Sequence, residues 1–373
     1  MPIETIVNAK PVVLVAPLDW GLGHATRCVP VIRECLQAGF EVIIAAERSQ
    51  KALLEPEFPG LDFVNLKGYR LNYASSAWLT VIKIVFQIPK ILIAINKENK
   101  WLENFTKEKH LDIIISDNRF GLYKNGIFSI FITHQLGIKT PFGKFADKII
   151  TRINYHFLHH FDVCWVPDTK SKRNIGGDLS HPVVMPSCKV RYIGILSRIK
   201  RNPAVVKNKL LVMLSGPEPQ RSILEANLLV QLEKYCIAAV FIRGLPLSSA
   251  VPATIPGVKI LNHVSGAQLE QLINESEIII SRSGYSTIME VIPLNKKCIF
   301  FPTPGQTEQE YLAKSLAKKG WACVASQDEF SLPAIINDAE ALVLPDLSGF
   351  SDAVKLKEAI SDLTNKIKNN SDN

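Results

Sequence analysis

The sequence lacks the residue patterns that mark several common protein classes. Its seven cysteines include no Cys-x-x-Cys pair, so neither a disulfide framework nor a cysteine zinc site is expected. It has no long basic run and no zinc-finger spacing, which leaves nucleic acid as the least favoured partner. The first residues do not combine a basic segment with a long apolar core, so we predict a protein of the reducing cytoplasm.

Patterns that hold metal ions are also scarce. His156 and His160 are one helical turn apart and His159 lies beside them, but no clear third ligand is near, and zinc sites need at least three protein ligands. No Asp-x-Asp pattern occurs where a magnesium diphosphate site would be expected. We therefore predict a protein that works without a metal or any other cofactor.

The length and the hydrophobic content of the chain are sufficient for two compact domains. The chain has 373 residues, of which 47% are hydrophobic and 21% are charged, and chains of this length usually divide into two cores. The formal net charge is +8 at pH 7. An excess of positive charge favours anionic partners, such as nucleotide phosphates or an acidic membrane surface.

Apolar strands alternate with helical segments in both halves, which predicts two doubly wound α/β domains with parallel sheets. The predicted divisions are an N-terminal domain over 1–196, a polar and basic linker over 197–207, a C-terminal domain over 208–345, and a helix and tail over 346–373, for which packing back on the N-terminal domain is one expectation. The predicted strands cover 11–16, 41–46, 111–116, 128–133, 162–166, 209–214, 239–243, 258–261, 277–281 and 297–301.

The segment 78–97 has a distinct helical pattern. Polar residues recur at steps of three and four, from Thr80 and Lys83 to Lys97, and form a narrow stripe on an otherwise apolar helix with an expected kink at Pro89. Two interpretations stay open: a cationic surface that contacts a bilayer interface, or a core helix whose stripe faces water. The charged residues and the proline argue against a membrane-spanning helix.

The most informative turn lies in the second half of the chain. The apolar strand Ile278-Ile279-Ile280 ends at Ser281-Arg282-Ser283-Gly284-Tyr285-Ser286-Thr287, where a helix is predicted to begin near 286. The free N–H groups of a helix start bind phosphate, and an ordinary capped helix is the alternative. Glu290 shares a helix face with the hydroxyl residues and is placed to bind a ribose. The residues that would contact a diphosphate are Arg282, Ser283, Gly284, Ser286 and Thr287.

A second polar loop follows the next strand. It has the sequence Pro302-Thr303-Pro304-Gly305-Gln306-Thr307-Glu308-Gln309 and lies at the carboxyl end of a strand, where open α/β sheets bind ligands. Its amide and carboxylate side chains suit sugar hydroxyls, and a rigid turn capped by Thr307 is the alternative. Gln306, Glu308 and Gln309 are the predicted sugar contacts.

Together these two segments resemble the donor-binding signature of family 28 glycosyltransferases, which include the N-acetylglucosaminyltransferase that completes the lipid II precursor. The resemblance runs through 276–320 and implies a GT-B fold, a UDP-sugar donor and inversion at the anomeric carbon. It matches Glu290 to the ribose-binding acid, Arg282, Ser283 and Gly284 to the diphosphate turn, and Gln309 to a donor-sugar contact. The loop at Ser215-Gly216 resembles a family loop near the diphosphate. Leu312 stands where the family often has asparagine, which leaves the donor sugar open.

The first half carries a glycine turn, Gly21-Leu22-Gly23-His24-Ala25-Thr26-Arg27. Its spacing departs from the dinucleotide-binding pattern, because residue 26 is threonine rather than glycine. Family 28 members carry Gly-Gly-His at the corresponding turn, and related proteins resemble Gly-Leu-Gly-His-Ala-Thr-Arg itself. The resemblance implies that His24 is the general base, with phosphate positioning or loop closure as its alternative role. Gly21, Gly23 and Arg27 are the acceptor-binding candidates of this turn.

Two further strand ends are predicted to face the same cleft. Asp117-Asn118-Arg119 follows one strand and Thr133-His134-Gln135 follows the next. We predict that His134 is the reserve base and that Asp117 orients or shares a proton with either histidine. Arg119 and Gln135 are acceptor-site candidates. Strand-end caps or local salt bridges are the alternatives.

Together with the resemblance, these features predict a metal-independent glycosyltransferase that moves a hexosyl group from a nucleotide-sugar to an acceptor hydroxyl, and the resemblance implies inversion and a UDP-sugar donor. A UDP-sugar 2-epimerase of the same architecture and a non-catalytic nucleotide-sugar-binding subunit are the alternatives, and an NAD enzyme is a distant third. A lipid-linked acceptor fits the positive charge and the helix at 78–97, while a soluble glycan or a small molecule stays open.

Overall fold

The computed structural model describes residues 10–19, 21–69, 77–202, 205–246, 248–250, 254–350 and 353–371. Within these ranges the strands form two separate parallel sheets. Trp20, just before the glycine turn, and Pro203, in the predicted linker, lie outside the described residues, as do the side chains of Thr80 and Lys83 in the polar stripe.

The first sheet has seven parallel strands in the order β3-β2-β1-β4-β5-β6-β7. The order reverses between β1 and β4, and ligands bind at such a reversal in open α/β sheets. The chain turns that follow β1 and β4 are therefore at the first candidate ligand edge. The strands are β1 (Val12–Pro17), β2 (Glu41–Ala46), β3 (Asp62–Asn65), β4 (Ile113–Asp117), β5 (Phe128–Ile132), β6 (Val163–Val166) and β7 (Lys189–Tyr192).

The second sheet has six parallel strands in the order β10-β9-β8-β11-β12-β13. Its order reverses between β8 and β11, so the turns after these two strands form a second candidate ligand edge. The strands are β8 (Asn208–Met213), β9 (Ala239–Ile242), β10 (Val258–Leu261), β11 (Ser276–Ser281), β12 (Lys297–Phe300) and β13 (Cys323–Val324).

Ten helices in the described ranges cover the faces of these sheets. Ile278, Ile279 and Ile280 of β11 are fully buried, as expected for a parallel strand with both faces covered. The helices are α1 (Leu22–Gln37), α2 (Arg48–Leu54), α3 (Ala77–Glu108), α4 (Lys144–Leu158), α5 (Gln220–Lys234), α6 (Gly266–Asn274), α7 (Tyr285–Val291), α8 (Thr307–Lys318), α9 (Leu332–Ala341) and α10 (Ala353–Ser371).

The predicted fold class, two doubly wound parallel-sheet domains, is confirmed. The predicted strands occur within one or two residues of their expected limits. The prediction missed the short strands β3, β7 and β13. Helix α1 begins at Leu22, inside the glycine turn. His24 is therefore in the first turn of a helix.

The chain passes between the two sheets twice. The first passage runs from the end of β7 at Tyr192 to the start of β8 at Asn208 and contains the predicted linker. The second is made by α10, which packs against α1 of the first domain. Asp362 of α10 accepts a hydrogen bond from Arg191 at 2.6 Å, and Lys366 lies 3.6 Å from the ring centroid of Phe128.

The helix predicted at 78–97 is part of α3, which continues through Pro89. Its side chains are described from Pro89 onward, where Lys90 and Lys97 are exposed. Leu92 and Ile93 are also 49% and 56% exposed, so this part of α3 is not a simple core helix. No helix among the described residues is long and apolar enough to cross a membrane.

A buried ion pair anchors α3 to the first sheet and corrects one site prediction. Arg119, which the sequence suggested as an acceptor contact, is fully buried, and its Nε lies 2.7 Å from Glu98 Oε1. Its terminal nitrogens donate to the carbonyls of Pro17 and Lys67. Because these three bonds use its guanidinium inside the domain, Arg119 holds α3 and two loops together and does not face the cleft.

We predict that Arg119→Met destabilises the protein by about 3–5 kcal/mol, because it leaves the Glu98 carboxylate buried without its cation. Lys109→Met is the matched control, since Lys109 forms an exposed pair with Glu41 at 3.3 Å and should cost roughly 1 kcal/mol or less. Urea unfolding measures both. Equal losses for the two variants would contradict this account of Arg119.

Candidate active site

The beginnings of two helices meet where the two ligand edges face each other. Helix α1 follows β1 and starts after Gly21, and helix α7 follows β11 and starts after Gly284. No side chain among the described residues caps either helix, so the capped-helix alternative for α7 does not apply. The first-turn N–H groups of both helices are therefore available to an anionic ligand.

Gly23 allows the two helices to come close. Its carbonyl accepts a hydrogen bond from Ser286 Oγ at 2.8 Å. A Cβ atom at position 23 would lie 2.9 Å from that Oγ and 3.2 Å from Ser286 Cβ, which is closer than packed side chains tolerate. Gly21 has φ of 79°, a conformation that glycine adopts without strain. Both glycines of the turn thus have a structural role.

Below this junction, a carboxylate and a guanidinium form a buried ion pair. Asp117 is fully buried at the end of β4, and Arg27 on α1 is 2% exposed. Arg27 Nε donates to Asp117 Oδ2 at 2.9 Å, and Arg27 Nη2 donates to the other carboxylate oxygen. Burial works to raise the pKa of Asp117, but the charge of Arg27 and the hydrogen bonds from His24 and Arg27 outweigh it and hold that pKa at about 2.

His24 lies against this ion pair. Its Nδ1 is 3.1 Å from Asp117 Oδ2 and 2.7 Å from Arg27 Nη2, and one ring nitrogen can bond only one of these at a time. Burial, followed by the charge of Arg27, lowers the pKa of His24 against the opposing effect of Asp117. His24 is therefore a neutral imidazole at neutral pH, as a general base requires.

His134, the other histidine candidate, has protein partners on both ring nitrogens. Arg27 Nη1 lies 3.3 Å from its Nδ1, and Glu308 Oε1 lies 2.7 Å from its Nε2. Its ring stacks on Tyr285 of α7 at a centroid distance of 3.8 Å. Glu308 also accepts a hydrogen bond from Gln135. His134 and Gln135 thus connect the first domain to the predicted sugar-binding loop.

The pKa of Glu308 reflects the same contacts. Burial alone would raise the pKa of this carboxyl, but the nearby His134, Arg27 and His24 lower it below its usual range. A charged carboxylate is thus held at the start of α8, beside the two histidines. This position suits a hydrogen bond to a sugar hydroxyl.

Arg282 occupies a different place from the one predicted. It is 1% exposed, and its guanidinium donates to the carbonyls of Phe301, Pro302 and Gln220 and to the side chain of Gln327. Burial lowers its pKa to about 10, so it is still a cation at neutral pH. Because its donors are used inside the second domain, Arg282 braces the turn and does not present its charge to the cleft.

The other side chains of the predicted donor site bond to one another or across the cleft. Ser283 Oγ donates to the carbonyl of Gln309 at 2.9 Å. Gln309 in turn accepts from the backbone of Thr303 at 2.9 Å and donates to Gln306. These bonds tie the turn after β11 to the loop after β12. The structure therefore brings the two predicted donor segments together as one surface.

Glu290, the predicted ribose-binding acid, has a partner that the sequence did not indicate. Arg198, in the passage between the domains, lies with its Nε 2.7 Å from Glu290 Oε1. The two side chains are 13% and 9% exposed. Arg198 also contributes, after burial, to lowering the pKa of His263. Arg198 thus lies between Glu290 and the loop after β10.

Several further contacts join the domains around this cleft. Tyr285 Oη donates to the carbonyl of Pro167 at 2.8 Å, and Thr307 Oγ1 donates to the carbonyl of Lys139 at 2.7 Å. The alternative in which Thr307 caps the helix does not apply, since the cap residue of α8 is Gln306. The hydroxyl of Thr307 bonds to the first domain instead.

The remaining candidates are open to solvent. Ser215 and Gly216 are exposed after β8, and Thr287 is partly exposed in the first turn of α7. Among the residues that the structure describes, no group of three histidine, cysteine, aspartate or glutamate side chains could hold a metal ion. His156 and His160 are near each other, with ring centroids 5.9 Å apart.

The chain is similar in sequence to known glycosyltransferases. Residues 263–367 match the family model described as the glycosyltransferase family 28 C-terminal domain. An uncharacterized glycosyltransferase of Methanosarcina acetivorans is 24% identical over 335 residues, which cover 82% of this chain and 83% of that protein. The chain is a glycosyltransferase.

Solved structures show that this transferase has the GT-B fold. The glycosyltransferase of kitacinnamycin is 15% identical, with a TM-score of 0.63 over 95% of this chain and 96% of that one. The spinosyn rhamnosyltransferase SpnG is 14% identical, with a TM-score of 0.60 over 94% and 96%. MurG of Acinetobacter baumannii is 16% identical, with a TM-score of 0.51 over 97% and 100%.

The pKa of Asp117 gives the transferase a testable acid sensitivity. This carboxyl has a pKa of about 2 in the folded state and about 3.9 in the unfolded state. Its ionised form therefore stabilises the fold at pH values above 3.9, and this stabilisation is lost as the pH falls towards 2. The contribution amounts to roughly 2–3 kcal/mol. We predict that the stability difference between the wild type and Asp117→Asn shrinks by about two thirds of that amount between pH 6 and pH 2.5, because pH 2.5 is still above the folded-state pKa.

Urea unfolding at both pH values measures this difference. Asp62→Asn serves as the control, because Asp62 is 68% exposed and its loss should change stability little at either pH. A stability difference for Asp117→Asn that is the same at both pH values would contradict the assigned ion pair.

Proposed function

We propose that the protein is an inverting glycosyltransferase that moves a hexosyl group from a nucleotide-sugar, a UDP-sugar by its resemblance to family 28, to an acceptor hydroxyl without a metal ion. The observation that carries the proposal is the meeting of two uncapped helix starts, those of α1 and α7, beside a neutral histidine. This arrangement offers both a phosphate-binding surface and a base.

The donor binds mainly on the second domain. Its diphosphate lies at the start of α7, near Ser286 and Thr287, and its ribose contacts Glu290. Since Arg198 bonds one carboxylate oxygen of Glu290, the other oxygen is left for the ribose. The sugar lies against the loop that carries Gln306, Glu308 and Gln309. The structure of SpnG complexed with thymidine diphosphate supports a nucleoside diphosphate as the ligand class.

The acceptor approaches from the first domain, where His24 acts as the base. In the productive tautomer, Nδ1–H of His24 donates to Asp117 and Nε2 takes the proton of the acceptor hydroxyl. The oxygen then attacks the anomeric carbon from the face opposite the diphosphate, through an oxocarbenium-like transition state. His134 is a poorer base in this arrangement, because Arg27 and Glu308 occupy its two nitrogens.

The leaving diphosphate gains negative charge as the glycosidic bond breaks. The first-turn N–H groups of α7 stabilise that charge without reorganising, which is the main catalytic advantage of a fixed dipole. Arg282 acts indirectly by holding the turn, since its guanidinium bonds protein carbonyls. This electrostatic stabilisation takes the place that a magnesium ion has in other transferases.

The acceptor is, in this proposal, a lipid-linked molecule handled at the cytoplasmic face of a membrane. The net charge of +8 and the exposed Leu92 and Ile93 of α3 support contact with a lipid surface in the region 78–97. The seven cysteines, all within the described residues, are free thiols, which suits a reducing compartment.

We expect His24→Ala and Glu290→Ala to separate chemistry from donor binding. Loss of the base should lower kcat by about 10²–10⁴-fold with little change in affinity for UDP. Loss of the carboxylate should weaken UDP binding, because it removes the ribose contact and leaves Arg198 without its partner. Steady-state kinetics and calorimetry measure the two effects.

His110→Ala is the matched control, since His110 is a histidine that is 77% exposed and outside the cleft. It should retain wild-type kcat and UDP affinity. Full transfer activity in both His24→Ala and Glu290→Ala would overturn the site assignment. Calorimetry with thymidine diphosphate and NAD beside UDP identifies the nucleotide class.

The lowered pKa of His24 predicts the pH dependence of the reaction. A base must be neutral, so the rate falls as pH drops through the pKa of His24, which lies below its ordinary value of 6.5. The acid limb of kcat/KM should therefore have its midpoint below pH 6.5. A midpoint above 6.5, measured where the protein is still folded, would be inconsistent with His24 as the base.

The same purified protein can be used to test the two alternatives, an epimerase and a non-catalytic subunit. Incubation of the UDP-sugar without acceptor, followed by NMR, shows a new sugar epimer if the protein is an epimerase. UDP binding without turnover on any acceptor would indicate a non-catalytic subunit. Either result would replace the transferase proposal.

A further inference from the structure

The outer face of α4 exposes an unusual number of apolar side chains for a helix in water. Phe145, Ile149 and Ile153 are 79%, 42% and 49% exposed, and Phe142, just before the helix, is 52% exposed. The three helical residues are spaced by four, so they form one row along the helix. Contiguous exposed apolar side chains of this kind mark an interaction surface.

A row of cations runs beside the apolar row. Lys144, Lys148 and Arg152 are each one residue before a member of that row, and all three are exposed. The one acidic residue of α4, Asp147, is partly buried and accepts hydrogen bonds from the backbone and hydroxyl of Thr140 at 2.6 and 2.8 Å. The outer face therefore carries positive charge and no acidic side chain.

A neighbouring loop enlarges this surface. Val183, Val184 and Met185 are 103%, 68% and 42% exposed. Tyr155 of α4 donates a hydrogen bond from its hydroxyl to the carbonyl of Val184, which holds the loop next to the helix. This exposed apolar loop is thus attached to the helix that carries the basic row.

We propose that this surface, the outer face of α4 together with Val183–Met185, docks on a bilayer that contains anionic lipids. Aromatic and aliphatic side chains beside a basic row fit the boundary between headgroups and acyl chains, and anionic headgroups complement the positive charge. A second copy of the chain is a poor occupant, because a two-fold interface uses the same face of both copies and the outer face of α4 has no acidic side chain to pair with the basic row of the other copy.

The inner face of α4 connects the surface to the cleft. Asn154, which is buried, donates to the carbonyl of Gln135 at 3.0 Å, and Thr151 Oγ1 accepts from the backbone of Ile138 at 3.1 Å. The loop between β5 and α4, which carries His134, is thereby fixed to the docking helix. Docking would hold the acceptor side of the cleft near the lipid surface. The binding of the protein to the membrane does not depend on which acceptor the enzyme uses.

Vesicle co-sedimentation with the full chain tests this proposal. The wild type should bind vesicles that contain about a quarter phosphatidylglycerol at least about tenfold better than pure phosphatidylcholine, and less well at high salt. Phe145→Ser with Ile149→Ser should lower binding by about tenfold or more. Lys148→Glu with Arg152→Glu should abolish the preference for anionic vesicles.

The control is Ile223→Ser with Val230→Ser on α5, where both side chains are exposed, at 38% and 62%. This variant should bind as the wild type does, and all variants should keep the wild-type thermal midpoint and UDP affinity. Failure of the wild type to bind anionic vesicles would overturn the proposal. An equal loss of vesicle binding in the control variant would also overturn it. So would the result that Leu92→Ser with Ile93→Ser on α3 abolishes vesicle binding while the α4 variants bind as the wild type does.

Sedimentation velocity tests whether a second copy of the chain, rather than a membrane, covers this surface. Self-association of the wild type that disappears with Phe145→Ser and Ile149→Ser would assign the surface to a second copy and refute membrane docking. A monomer that binds anionic vesicles through these residues would support it. UDP affinity is measured in parallel, so a defect in the proposed donor site is separable from a defect in lipid binding.

Discussion

The buried pair of Asp117 and Arg27 is in direct contact with both histidines of the candidate site. A carboxylate with no solvent exposure is stable as an anion here mainly because Arg27 bonds both of its oxygens, with a further contribution from His24. The same guanidinium lies within hydrogen-bond distance of His24 and His134, so one cation is adjacent to both histidines. Burial, and then the charge of Arg27, lower the pKa of His24. The imidazole therefore stays neutral although a carboxylate lies beside it.

The two domains supply complementary parts of the site. The first contributes the histidines and the ion pair, and the second contributes the start of α7 and the loop that carries Glu308. The two domains contact each other through the hydrogen bonds of Ser286 with Gly23 and of Glu308 with His134. Glu308 bonds a protein side chain where a sugar hydroxyl is proposed to bind, so a donor must take over that hydrogen bond.

The sequence was a good guide wherever the relevant pattern is local. The glycine turn before α1 and the hydroxyl-rich turn before α7 are continuous stretches, and the strand–turn–helix order fixes where they lie in a doubly wound sheet. Parallel strands buried on both faces are also recognisable as apolar runs. The short strands β3, β7 and β13 were missed because they lie at sheet edges and contain no buried residue, so none of them has the apolar run that marks a strand.

Pairings between distant residues could not be read from the sequence in the same way. Arg119 and Arg282 stand at strand ends, where a charged residue is expected to serve a ligand, yet burial turns both inward towards protein acceptors. Arg198 comes from a stretch that looked like a plain linker, and its bond to Glu290 spans 92 positions. The exposed rows of α4 also required the structure, since only the packing shows which face of a helix is left in water.

The return of α10 to the first domain has a mechanical consequence. Because the backbone links the two halves at two separate places, neither half can slide or swing freely with respect to the other. The motion that remains easiest is a rotation about the line through these two links. Substrate entry and product exit would then follow a single hinge coordinate, and the attachment of α10 through Asp362 and Lys366 would set its stiffness.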